Sequence, residues 1–101
     1  GPESITLRTR ALELFLEGIR RIDSWARVQE IVGGLNTEYR ATKEADAVIE
    51  MANLSAEEKQ ILTFCEETRT LEEICDAIPM NHFMICKLIW GYLIVGALMV
   101  A

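Results

Sequence analysis

The first part of the chain has the periodicity of an amphipathic helix. Apolar residues recur every three or four positions from Ile5 to Ile22, which predicts a helix with one apolar face and one charged face. The apolar face is predicted to contain Leu7, Ala11, Leu14, Phe15, Gly18, Ile19 and Ile22.

A second, short helix is predicted over 25–32. Ser24 is a favourable N-cap residue, and the glycine pair after the helix can adopt the backbone geometry that ends it. Residues 35–42 are predicted to be a connector. Over 43–51 the apolar pattern is weaker, and it leaves open both a helix capped by Thr42 and an extended path.

Two S/T-x-x-E capping boxes mark helix starts in the second half of the chain. They begin at Ser55 and Thr70, each just before an apolar run, and predict helices over 56–66 and 71–78. Pro79 ends the second of these helices, because proline cannot donate the backbone hydrogen bond that a helix interior needs.

The last predicted helix covers 82–95 and is followed by a short strand. Asn81 is expected to cap this helix and Gly96 to end it. Residues 68–70 and 98–100 are expected to pair as a two-stranded ribbon.

The order of these elements is that of a helix-turn-helix followed by the start of a wing. The predicted fold class is mainly α, with an N-terminal helical segment packed on a winged-helix-like unit that has a minimal β ribbon. A chain of 101 residues supports one hydrophobic core. We therefore predict a single domain over 1–101, with N-terminal helices and a connector over 5–53 and the winged-helix-like part over 54–101. A plain helical bundle is the alternative.

The helix over 82–95 is apolar on two sides. The side expected to face the core contains Phe83, Cys86, Ile89, Trp90 and Leu93. The opposite side contains Met84, Leu88, Gly91 and Val95, spaced four, three and four residues apart. A helix that is apolar on two sides needs two surfaces to pack against. The second surface is either the N-terminal helix or another protein chain, which makes these four residues a candidate protein interface.

The charge balance argues against nucleic acid as the partner. The chain has ten basic and sixteen acidic residues and a net charge of -6, whereas nucleic acids and anionic membranes attract positive surfaces. Lys87 is the only cation after Pro79. The uncharged run over 88–101 is shorter than the roughly 18 residues that a membrane-spanning helix needs. The expected partner is a protein, including a second copy of this chain.

No motif in the sequence indicates catalysis or metal binding. His82 is the only histidine, and Cys65, Cys75 and Cys86 lack the spacing of a zinc or redox pair. The three cysteines are expected to be small buried hydrophobes in a reducing cytoplasm. There is no glycine-rich phosphate loop and no nucleophile elbow. We therefore predict no catalytic residues, no cofactor and no metal site.

Two stretches resemble one known family. The sequence LFLEGIRRIDSW over 14–25 is similar to the "LLLEGxRRxDEW" helix that closes the PATAN (PatA N-terminal) domain of bacterial signalling proteins. Residues 54–62, 69–75 and 83–100 resemble the winged-helix-like tail that often follows that domain. The resemblance implies a role in protein contacts without catalysis.

The residues that match the family motif are Glu17, Arg20, Arg21, Asp23 and Trp25. They are expected to form an intramolecular cluster of ion pairs and packing contacts that sets the bend between the first two helices. A partner-binding role for the same cluster is the alternative.

Together these features predict a non-catalytic interaction or dimerisation module of a bacterial, cytoplasmic signalling protein. A winged-helix transcription regulator that contacts DNA is the second hypothesis. A structural tail that stabilises a neighbouring domain is the third.

Overall fold

The computed structural model describes the backbone of residues 2–101 and the side chains of residues 7–101. This part of the chain is mainly helical with one small antiparallel sheet, so the predicted fold class is confirmed. The helices are α1 (Pro2–Arg20), α2 (Trp25–Val32), α3 (Ala45–Met51), α4 (Ala56–Phe64), α5 (Leu71–Ala77) and α6 (His82–Val95). The strands are β1 (Glu38–Ala41), β2 (Arg69–Thr70) and β3 (Leu98–Val100).

The predicted helix starts in the second half of the chain are confirmed. The Ser55 hydroxyl accepts from the Glu58 amide at 3.2 Å, and the Glu58 carboxylate accepts from the Ser55 amide at 2.8 Å. Thr70 and Glu73 form the same reciprocal pair at 3.1 and 2.9 Å. The Asn81 side chain accepts from the first amides of α6 at 2.8 and 3.2 Å. Each cap satisfies amides that have no partner within their own helix.

The helix boundaries in the first half differ from the prediction. α1 ends at Arg20 and not at Ile22, and over 43–51 the chain forms a helix that begins at Ala45. Ser24 precedes α2 with extended backbone, but its hydroxyl makes no capping hydrogen bond. Gly33 ends α2 with φ +79°, and a β-carbon there would lie 2.8 Å from Oγ1 of Thr37. The Thr42 hydroxyl accepts from the Glu44 amide at 3.1 Å and donates to the Gly96 carbonyl. Thr42 thereby ties the start of α3 to the end of α6.

The predicted two-stranded ribbon is wrong in its pairing. The strand order is β2-β1-β3, so β2 and β3 each pair with β1 and not with each other. Tyr39 lies at the centre, opposite Arg69 on one side and Val100 on the other. The residues predicted as a connector thus provide the middle strand. Of the four residues of β1 only Tyr39 is fully buried, so the sequence offers a single apolar signal for this strand.

α6 runs through the centre of the core and packs against α1, α2, α4, α5 and β3. Its fully buried side chains include Ile85, Leu88, Ile89 and Tyr92. α1 crosses α6 at Gly91, where a β-carbon would lie 3.4 Å from the Ile19 side chain. The second apolar side of α6 was expected to pack against either the N-terminal helix or another chain. In the structure it packs against the N-terminal helix.

The candidate interface predicted on α6 needs correction for two of its four residues. Leu88 is fully buried and Gly91 is buried, so neither can contact another chain while α1 stays in place. Met84 and Val95 are half-buried and pack against the core. Among the residues that the structure describes, no helix combines the length and apolarity that crossing a bilayer requires.

The close crossing at Gly91 gives a test of how α1 packs. Gly91→Leu should destabilise the fold by about 1–3 kcal/mol, because the added atoms must displace Ile19 or Leu16. Gly91→Ala should stay within about 1 kcal/mol of the parent, since its helix propensity offsets a tight contact. Urea denaturation of the two variants measures both effects. Equal stability of the parent and the leucine variant would contradict the crossing.

Candidate protein interface

The family-motif cluster is centred on an ion pair between α1 and α4. Arg20 donates from Nε to one carboxylate oxygen of Glu58 at 2.8 Å and from Nη2 to the other at 3.1 Å. The Glu58 side chain is buried and that of Arg20 is mostly buried. Such a two-pronged contact fixes geometry as well as adding energy. In the sequence Glu58 is recognisable only as the last residue of the capping box that begins at Ser55, so this pairing across 38 residues was missed.

Glu58 links three helices. Burial by itself raises the pKa of the Glu58 carboxyl, but hydrogen bonds from Arg20 and from the Ser55 amide outweigh it and the pKa is lowered. The hydrogen bond to Glu58 also raises the pKa of Arg20. The backbone carbonyl of Glu58 accepts from the Tyr92 hydroxyl at 2.8 Å, which joins α4 to α6.

Lys87 is the charged group that contacts the backbone at the bend after α1. Its side chain is 5% exposed, and the ammonium donates to the backbone carbonyls of Arg20 at 2.7 Å and Ile22 at 3.0 Å. The ammonium also lies 4.6 Å from the centroid of the Phe83 ring. A cation at these carbonyls satisfies acceptors that the end of a helix leaves open. Phe83 in turn meets Trp25, the first residue of α2, edge to face at 5.4 Å.

The remaining motif residues lie on the surface of this cluster. Glu17 pairs with Arg21 at 3.1 Å and with Arg20 at 3.5 Å, and exposed pairs of this kind contribute little to stability. Asp23 is exposed, and within the described part of the chain no hydrogen bond or ion pair of its carboxylate is found. The structure thus brings Glu17, Arg20 and Arg21 together, and Trp25 joins them through Phe83 and Lys87.

An apolar stripe on α1 faces away from the core. Leu7 is 67% exposed and Leu14 is 68% exposed. Ala11 and Gly18 are exposed on the same side, and at about 100° per residue all four positions fall within a sector of about 60°. Leu16, on the opposite side, is fully buried. We call Leu7, Ala11, Leu14 and Gly18 the outer stripe.

The sequence interpretation placed the outer stripe and the core-facing residues of α1 on one apolar face. The structure separates them into two sides. Ile19 and Leu16 pack on α6, whereas the outer stripe has no cover among the described residues. The missed signal was the spacing of the outer stripe, which repeats at intervals of four, three and four residues as the seam of a helix pair does.

The surface of α6 offers little for nucleic acid. The only charged side chain of α6 is Lys87, which points to the end of α1. His82, at the first turn, is exposed as expected. A DNA-reading helix needs cations or polar groups directed outward to the major groove.

A cavity of about 230 Å³ lies between α2, α5 and α6. Cys75, Trp25 and His82 are among its lining residues. Burial raises the pKa of the Cys75 thiol, and burial raises the pKa of Cys86 to about 11. A thiol that stays protonated at neutral pH is a weak nucleophile.

The described residues contain no group of three His, Cys, Asp or Glu side chains placed to hold a metal ion.

Comparisons with known proteins do not identify the chain. No protein family, curated protein or solved structure matches it. The resemblance to the PATAN family therefore stays a prediction from the motif residues.

The buried ammonium predicts a large effect of Lys87→Met. Methionine keeps the length and apolar volume but leaves the carbonyls of Arg20 and Ile22 without their donor. We expect a loss of about 2–3 kcal/mol in the free energy of unfolding, measured by urea denaturation. The control Lys59→Met changes an exposed lysine of α4 and should shift stability by less than about 0.5 kcal/mol. Similar values for the two variants would refute the capping role.

The Arg20–Glu58 pair predicts a specific loss of stability in acid. Because the folded pKa of Glu58 is lowered, the stability it contributes is complete above the ordinary glutamate pKa of about 4.3 and is lost as the pH falls through the folded pKa. Glu58→Gln should make the unfolding free energy less dependent on pH below about 5. The control Glu50→Gln, on the exposed side of α3, should keep the parent profile. An unchanged acid profile in the Glu58 variant would contradict the pairing.

Proposed function

We propose that this chain is a non-catalytic protein–protein interaction module of a bacterial signalling protein and that the outer stripe of α1 is its binding surface. The observation that carries the proposal is the exposure of two leucines, at 67% and 68%, on the side of α1 opposite the core. Apolar side chains that share one exposed side of a helix, unlike singly scattered ones, mark a candidate interaction surface. The motif shared with the PATAN family supports the signalling context.

The free energy available from the outer stripe is modest. Full burial of a leucine side chain contributes about 1.5–3 kcal/mol, so covering the exposed parts of Leu7 and Leu14 contributes about 2–4 kcal/mol together. The rigidity of α1 adds to this. Its C-terminal end is held by Lys87 and by the Arg20–Glu58 pair, so a partner would not have to order the helix there.

The proposed surface differs from the one that the sequence pattern indicated. α1 covers α6 at Gly91, the centre of that predicted surface, and the outer stripe lies on the opposite side of the covering helix. The need of α6 for a second packing surface is met within the chain. The outer stripe on the far side of α1 is exposed instead.

A site-specific cross-linking experiment tests the proposal. Benzoylphenylalanine is introduced in place of Leu14 and, as a control, in place of Ile94 on α6, which is 56% exposed. In cells that naturally produce the protein, irradiation should give discrete protein adducts from position 14 and none from position 94. The two positions have similar exposure, so accidental collisions should label them equally. Absence of adducts at position 14, or equal labelling of both positions, would overturn the proposal.

A further inference from the structure

The outer stripe is complementary to itself in one orientation. Along α1 its residues alternate in size: leucine at 7, alanine at 11, leucine at 14 and glycine at 18. If a second copy of α1 runs antiparallel, with the two-fold axis between residues 12 and 13, Leu7 faces Gly18 of the other copy. Leu14 then faces Ala11 of the other copy. Each large side chain meets a small one, which allows the two helix axes to approach closely.

The space that this pairing needs is present. A β-carbon built on Gly18 would meet no atom within 4 Å, so a leucine from another chain can lie against that turn of the helix. Ala11 is exposed as well. A parallel pair would instead set Leu7 against Leu7 and Gly18 against Gly18, leaving a gap at one end and crowding at the other.

The charges beside the outer stripe favour the same orientation. Arg10 and Glu17 are exposed, and seven residues of separation place them on the same flank of the outer stripe. In the antiparallel pair this flank of one helix lies against the same flank of the other, so Arg10 of each copy approaches Glu17 of the other. That carboxylate is 51% exposed, and in its own chain it also pairs with Arg21 and Arg20. The two-fold symmetry forms this opposite-charge contact twice. In a parallel pair Arg10 would approach Phe15 of the other copy.

From the alternation of side-chain size and from this charge complementarity, we infer that a second copy of this chain occupies the outer stripe, with the two α1 helices antiparallel. The inference rests on the proposed function and names its partner. The seam from residue 7 to residue 18 is about 17 Å long at the rise of an α-helix. That is short for a stable interface, so the dimer should be weak and should form only at high protein concentration.

The first experiment measures molecular mass against concentration by sedimentation velocity, between roughly 5 µM and 1 mM. The mass of the parent should rise from 11.4 kDa toward twice that value. Leu14→Asp should remain a monomer throughout, whereas Ile94→Asp, at an exposed apolar site of α6, should behave as the parent. Circular dichroism checks that each variant is folded, and Ala11→Arg provides a second change to the outer stripe.

The second experiment determines the orientation. In a Cys75→Ser background, Leu7→Cys and Gly18→Cys chains are prepared, one of them with an added tag, and oxidised by copper–phenanthroline separately and as a mixture. The antiparallel pair should give the mixed disulfide between residue 7 and residue 18. Neither variant alone should form a disulfide dimer, because like positions lie more than about 7 Å apart. A parallel pair would give like-with-like disulfides instead.

The outcomes separate this inference from the proposed function. A constant monomer mass up to the highest concentration overturns self-pairing. If position 14 nevertheless cross-links to a different protein, the proposed function as an interaction module is still supported. A dimer that survives Leu14→Asp, or one broken by Ile94→Asp, overturns the inference about the surface. Like-with-like disulfides overturn the antiparallel orientation. A monomer without adducts at position 14 overturns both proposals.

Discussion

The hydrogen bonds between the Lys87 ammonium and the backbone at the end of α1 are the contact on which the packing of α1 on α6 depends. An ammonium group in the interior is unfavourable unless donors and acceptors are matched, and here the backbone carbonyls of Arg20 and Ile22 supply the acceptors. Those carbonyls are available only where α1 has ended. The ammonium therefore holds the end of α1 over α6, at the point where the chain bends toward α2.

With that end fixed, the rest of α1 lies across the apolar side of α6. Leu88 and Gly91 are sheltered, and the close crossing is possible because position 91 has no side chain. The same placement directs Leu7 and Leu14 outward. The surface proposed for protein binding is thus a consequence of how the core is closed, since one helix cannot present both its apolar sides to the same neighbour.

Glu58 combines a local and a distant role. Its carboxylate completes the capping box that starts α4, and the same carboxylate accepts both hydrogen bonds from Arg20. Together with the Tyr92 hydroxyl on its backbone carbonyl, this residue couples the start of one helix to the docking of two others.

The helix order is winged-helix-like, yet the helix that would read DNA is the most buried element. Fold order alone therefore does not indicate function.

Several features whose partners lie within about four residues could be predicted from the sequence. The capping boxes at Ser55 and Thr70 and the glycine that ends α6 are of this kind, because their hydrogen bonds close within one helical turn. Features that need a partner far along the chain became visible only in the folded structure. β1 is a strand because β2 and β3 lie on either side of it. Similarly, the apolar residues of α1 look like one face along the chain, and only the position of α6 determines which of them are buried and which are exposed.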